Sequence, residues 1–177
     1  MSSKQLDHFE LLGLSRQAEL DLQVLESKWK ARAAAVHPDR FTQASDAEKR
    51  VAMQWSAQVN EAYRILRDPL KRLVYLCELA GFKVGEGSGT SVSTPFLMHQ
   101  IQWREALEEI TQNADGQALS TLMAEVHAQR SLHQTAVIRD IEHEHWALAV
   151  TGLHEWMFID KFVQELRTAE RQVGKTE

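Results

Sequence analysis

The sequence predicts an all-α chain built in two parts, and three observations carry that prediction. Apolar residues recur every three or four positions along most of the 177 residues, the period of helices with one buried face. Only 3 prolines and 8 glycines punctuate the chain, and runs of β-branched residues are few. One stretch, residues 82–93, is rich in glycine and serine, lacks any helical period and divides the chain. The expected domains are therefore residues 1–81 and 94–177, with 82–93 as a short linker.

Composition narrows the class. Hydrophobic residues make up 44% and charged residues 25%, enough for a core in each half. The lone cysteine, Cys77, excludes an internal disulfide and fits a reducing compartment. The first residues contain no apolar signal core, and no stretch approaches the roughly 20 apolar residues of a spanning helix. A cytoplasmic protein without a membrane partner is expected. The net charge of −5 argues against general nucleic-acid binding. That charge is uneven: residues 1–82 hold 12 Lys+Arg against 11 Asp+Glu, and residues 83–177 hold 8 against 14. Different partners for the two halves would follow.

The elements come in order. Phe9, Leu11, Leu12 and Leu14 mark a short first helix and its exit, with Gly13 at its end. Asp21 is a good N-cap for a second helix running to about Val36. Leu25, Trp29, Ala33 and Val36 form its apolar face, and Lys28, Lys30 and Arg32 a basic edge. Pro38 disfavours helix at His37, so this helix stops at Val36 or His37. His37-Pro38-Asp39-Arg40-Phe41 is then a rigid, polar, exposed turn. Ser45-Asp46-Ala47-Glu48 reads as a capping box opening a third helix, with Val51, Trp55, Val59, Ala62 and Leu66 as its buried stripe. Leu70 to Ala80 reads as a further short helix that turns Leu73, Leu76 and Cys77 inward and ends at Gly81.

Beyond the linker, Thr94 and Pro95 read as N-cap and first-turn proline of a new helix. Three helices are expected, at about 95–112, 117–140 and 144–172, with Asn113-Ala114-Asp115-Gly116 as the first turn. Leu119, Leu122, Met123 and Val126 stripe the second of these; Trp146, Val150, Leu153, Met157 and Phe162 contribute to the last. Short connections between long helices favour an antiparallel three-helix bundle. The helix from Phe96 to Ile110 is unusual. Phe96, Trp103, Leu107 and Ile110 share one face, while Leu97, Met98 and Ile101 lie on another, continued by Glu105 and Glu109. An amphipathic helix needs one apolar stripe. The second is either a binding surface or a face covered by the linker or the first domain, and periodicity weighs these equally.

The turn and its flanks resemble the J-domain, the module through which DnaJ-type co-chaperones act on DnaK-type ATPase chaperones. His8-Phe9-Glu10-Leu11-Leu12-Gly13-Leu14 resembles the opening of that module, and Gln58 through Pro69 the end of its third helix. The resemblance covers roughly the first 75 residues. It implies that His37, Pro38 and Asp39 promote ATP hydrolysis in the partner, and that Lys28, Lys30, Arg32 and Arg40 help dock on an acidic surface. Arg32 departs from the pattern, standing where the family usually has an apolar core residue; its stem can lie along the surface with the head in water. In the second half, Phe96-Leu97-Met98-His99-Gln100-Ile101-Gln102-Trp103-Arg104-Glu105 and Phe158-Ile159-Asp160-Lys161-Phe162 resemble segments of the HscB family, J-type co-chaperones of iron–sulfur cluster assembly. This breaks the tie in favour of a binding surface. It implies the chaperone HscA and the cluster scaffold IscU as partners, with Leu97, Met98, Ile101, Glu105, Glu109 and Phe158 facing the scaffold. Gln102 stands where relatives often carry an acid. Some relatives carry an N-terminal extension with paired cysteines that hold a metal; that feature is not expected to carry over to this sequence.

Catalytic motifs are not apparent. His143-Glu144-His145 is not a His-Glu-x-x-His pair, and two alternating histidines at a helix start would point to different sides. His127 and His133 are expected at the surface. No Gly-rich phosphate loop occurs and Cys77 has no evident activating neighbour. The reading is a co-chaperone without cofactor, metal site or catalysis of its own. Two others compete: a general folding J-protein with another client, and a metal-dependent enzyme using the His/Glu-rich last helix.

Overall fold

The computed structural model describes residues 6–41, 43–85 and 92–173, except the side chain of Pro38. Every regular element among them is helical: α1 (His8–Leu12), α2 (Leu22–Ala35), a 3-10 turn (Pro38–Phe41), α3 (Asp46–Arg67), α4 (Pro69–Leu79), α5 (Thr94–Asn113), α6 (Gly116–Glu142) and α7 (Trp146–Val173). The chain forms two compact units, Met1–Leu76 and Cys77–Glu177, dividing within α4. Of the expected linker, residues 86–91 lie outside the described residues.

In the first unit, α1 packs on α2 and α3, and α2 pairs with α3 as a hairpin. Local chemistry sets each helix end. Asp7 and Glu10 form a reciprocal capping box on α1, and Gly13 closes it with a left-handed φ of 66°. Asp21 caps α2, accepting from the Gln23 and Val24 amides at 2.8 and 3.2 Å. Ser45 and Glu48 form the expected box on α3. Asp68 ends α3 in an extended conformation and accepts from the Lys71 amide at 3.1 Å, so one residue stops one helix and starts the next. α4 closes in a Schellman motif: the Phe82 amide donates to Cys77 O at 2.9 Å across Gly81 at φ 91°.

The α3 stripe differs from the expectation. Val59, Ala62 and Leu66 are buried, but Val51 and Trp55 are 51% and 40% exposed, and Ala52 is buried instead. Helical period identifies a face, but burial needs a neighbour. α1 meets α3 towards Glu61, whose charge acts on the His8 ring, so the early turns of α3 lack that cover. The burial of α2 fades likewise from Leu25, fully buried, to Trp29, Ala33 and Val36, each half-buried.

The second unit is a three-helix bundle, with α6 and α7 paired most extensively. Its core includes Phe96, Trp103 and Ile110 of α5, Leu119, Leu122 and Val126 of α6, and Ile159, Phe162, Val163 and Leu166 of α7. Burying one such side chain contributes about 1.5–3 kcal/mol. Ser93, not Thr94, caps α5; its hydroxyl accepts from the Phe96 amide at 3.3 Å and Pro95 follows in the first turn. Ala114 takes a left-handed φ of 52° between α5 and the Asp115 cap of α6.

Candidate functional site

The His-Pro-Asp turn sits at the tip of the α2–α3 hairpin. The Val36 amide closes α2 on Arg32 O at 3.2 Å, and the chain enters a single 3-10 turn in which the Arg40 amide donates to His37 O at 3.0 Å. The Asp39 amide donates to His37 Nδ1 at 3.3 Å, which leaves the ring proton of neutral His37 on Nε2. Both side chains face water: His37 is 57% and Asp39 87% exposed. Arg40 reaches back to Ala34 O at 3.4 Å, satisfying a terminal carbonyl of α2.

The hairpin beneath is clamped by Trp29, whose indole N–H donates to Asn60 at 2.9 Å and whose ring stacks on Tyr63 at 4.4 Å. The cations expected for docking are not one patch. Lys28 and Arg32, four residues apart, share a flank, and Lys30 points about 160° away from both. Lys30 pairs with Glu26 at 2.7 Å, both exposed, so part of its positive field is neutralised locally. Arg32 is exposed, and its guanidinium lies 3.9 Å from where a side chain on Gly13 would begin, beside the carbonyl end of α1.

On the bundle, Leu97, Met98 and Ile101 are 44%, 54% and 51% exposed, and Glu105 and Glu109 of the same helix are also exposed. Phe158 on α7 is 36% exposed. The register of α5 on α7 brings it to the same end. Trp103 stacks on Phe162 at 5.7 Å, and Arg104 pairs with Glu165 at 3.4 Å. The two helices run parallel, so stepping back two turns from Arg104 and Glu165 reaches Leu97 and Phe158. Leu97, Ile101 and Arg104 share the α7-facing flank of α5; Met98, Glu105 and Glu109 face outward. Trp103 locks the helix from its other side, donating to Glu125 at 2.8 Å.

Sequence reasoning missed the group that sets the start of this helix. Glu155, buried on α7, accepts from the Ser93 amide at 2.8 Å and contacts His133 Nε2 at 3.0 Å. His133 was expected at the surface, but 19% of its side chain is exposed, held by this contact between α6 and α7. Burial alone would raise the Glu155 pKa; hydrogen bonds from His133 and Ser93 hold it below the usual value. The hydrogen bond to Glu155 in turn raises His133.

His143 and His145 lie in the α6–α7 turn, not on a helix, and their rings stack at 5.9 Å, so the expected divergence does not occur. The left-handed Glu144, at φ 57°, brings them to one side. Among the described residues no three His, Cys, Asp or Glu side chains gather as a metal site. Burial pushes the Cys77 thiol up to about 11, away from nucleophilic chemistry. No helix among the described residues is long and apolar enough to cross a membrane.

Comparison with known proteins matches both halves. Residues 7–75 match the DnaJ domain, and residues 92–167 match the HscB C-terminal oligomerisation domain. The co-chaperone protein HscB homolog of Bordetella petrii is 49% identical over 165 residues, covering 92% of this chain and 95% of the relative. Its counterpart in Bordetella pertussis is 46% identical, covering 93% and 96%. The solved chaperone HscB from Vibrio cholerae superposes with a TM-score of 0.81 at 34% identity, covering 95% of this chain and 99% of the other. Human co-chaperone HscB gives a TM-score of 0.83 at 25% identity, covering 94% and 83%. With a presented His-Pro-Asp turn in one unit, a three-helix bundle in the other and this similarity along nearly the whole chain, the protein belongs to the HscB family of J-domain co-chaperones.

Proposed function

We propose that this protein stimulates ATP hydrolysis by the DnaK-type chaperone HscA and delivers the IscU scaffold to it during iron–sulfur cluster maturation and transfer. The observation that carries the proposal is the pairing, in one chain, of an exposed His37–Asp39 turn with an exposed apolar–acidic face on α5. His37, Pro38 and Asp39 engage the chaperone, and Lys28, Lys30, Arg32 and Arg40 steer docking on its acidic surface. Long-range attraction of that kind weakens with salt. Leu97, Met98, Ile101, Glu105, Glu109 and Phe158 hold the scaffold: the apolar residues supply buried area and the carboxylates select a basic partner. Residues 1–81 and 94–177 act as separate recognition domains joined by 82–93, in the cytoplasm. The protein regulates its partner's ATPase and is not itself an enzyme.

The test is ATP turnover by HscA with this protein, with and without IscU, and with His37→Gln. Strong stimulation that requires both proteins and is lost in the variant supports the proposal. Stimulation indifferent to IscU leaves a J-protein with another client. No stimulation by the folded protein refutes it.

A further inference from the structure

His133 stands in an environment that only one of its protonation states satisfies. Its Nδ1 lies 2.9 Å from the Gln129 carbonyl, and its Nε2 lies 3.0 Å from a Glu155 carboxylate oxygen. Both neighbours are acceptors. A neutral imidazole has one N–H and one lone pair, so whichever tautomer forms, a lone pair faces an acceptor; the imidazolium donates to both. The third neighbour is the Phe96 ring, T-shaped to the imidazole at 5.5 Å, which offers no acceptor or donor to either ring nitrogen. Glu155 is the charged group that acts on His133 from α7. From the start of α5, among the described residues, come the Phe96 ring and, through Glu155, the Ser93 amide. On α6 itself the nearby Arg130 is engaged by Asp160.

The other Glu155 oxygen holds the Ser93 amide at 2.8 Å. Ser93 then controls the first turn of α5: its hydroxyl takes the Phe96 amide at 3.3 Å and its carbonyl the Leu97 amide at 3.0 Å. Leu97 and the adjoining Met98 are the leading apolar residues of the exposed α5 face.

We infer that His133 and Glu155 form a protonation-dependent latch that positions the first turn of α5, and with it the docking face, while His133 is an imidazolium. The docking part rests on the function proposed above; the latch itself does not. Loss of the proton turns one of two charge-assisted hydrogen bonds into a repulsion and removes the cation from beside Glu155, so the His133–Glu155–Ser93 chain weakens whichever tautomer remains. His133 is held above the ordinary histidine value, so the latch is complete below about pH 6.5 and is lost as pH rises through the raised pKa.

The experiment uses the full chain without partners. Ring-nitrogen NMR follows His133, and amide hydrogen exchange follows Phe96 and Leu97, from about pH 6 to about pH 9. The latch predicts an imidazolium at the low end. It also predicts an increase in exchange of about tenfold beyond intrinsic base catalysis as the proton leaves, absent in His133→Gln, whose first turn is loose throughout. A ring already neutral below about pH 6.5, or exchange that follows base catalysis alone, overturns it; the ring measurement decides the matter on the unaltered protein even where the variant does not fold. IscU affinity is then measured over the same range. A parallel fall of about tenfold supports positioning. Affinity indifferent to pH, with the latch opening, overturns the positioning role. No binding at any pH refutes the proposed scaffold function, and with it positioning, while the partner-free measurements still decide the latch.

Discussion

The Arg72 guanidinium donates to the Leu66 carbonyl at 2.6 Å and to the Ala18 carbonyl at 2.8 Å, in a buried position at the start of α4. One side chain thereby closes the C-terminal end of α3 and fastens the loop between α1 and α2. Burial pushes the Arg72 pKa down, yet the two carbonyls give the cation a defined place. Arg72→Met should leave both buried carbonyls without a donor and cost about 3 kcal/mol. Arg72→Lys, with one flexible ammonium for a fork, should recover only part of this. Urea unfolding of the three proteins checks the order.

Asp7 couples the first helix to acid. Burial alone would raise its pKa, but the Glu10 amide at 2.9 Å and Arg16 at 2.6 Å together hold it below the usual value. A lowered folded pKa means that its contribution is complete above the unfolded value and is lost as pH falls through the folded one. Stability should therefore drop on acidification below about pH 4, and Asp7→Asn should show a smaller drop. Thermal unfolding of both proteins across that range decides it.

α6 and α7 approach closely at Gly152, where an added Cβ would lie 2.7 Å from a methyl group of Val137. Gly152→Ala gains about 1 kcal/mol of helix propensity but overpacks a buried contact. A net loss of about 1–2 kcal/mol is expected. Val137→Ala opens that space, so the double variant should be more stable than the sum of the single changes predicts. A double-mutant cycle by denaturant unfolding reads the coupling.

Leu97, Met98 and Ile101 separate binding from stability. Their exposure means that Ala substitutions should alter folding by no more than about 0.5 kcal/mol. Each should nevertheless weaken scaffold binding by about 1 kcal/mol or more if the face is the docking centre. Phe96→Ala is the counter-case: a 3% exposed core residue whose loss should cost about 3–5 kcal/mol of stability. Calorimetric unfolding and binding titration on the same samples distinguish the two kinds of residue.

His37→Gln should leave unfolding unchanged within about 0.5 kcal/mol, because the ring is largely in water and accepts a single bond, from its own turn. Loss of chaperone stimulation in a variant of unaltered stability would then report recognition, not folding.

Whatever is encoded within a few residues was legible in the sequence. The helices, the Asp21 cap, the Ser45–Glu48 box, the Gly13 and Gly81 stops and the His-Pro-Asp break follow from side chains acting on their own backbone. So does the separation of Leu97, Met98 and Ile101 from the Phe96–Trp103 stripe, because angular position around a helix is a local property; that this second face stays exposed was decided by folding. Contacts made by folding decided the rest. Periodicity placed Val51 and Trp55 in a buried stripe, but they are 51% and 40% exposed. Nothing near His133 in the chain announces Glu155, 22 residues away, and nothing near Arg72 announces Ala18, 54 residues away. Trp156, fully buried, sits amid the buried run Leu153–Trp156, where no single-face pattern exists to read. A local window contains the preference of each side chain for apolar or polar surroundings. Only the assembled helices determine which distant partner supplies them.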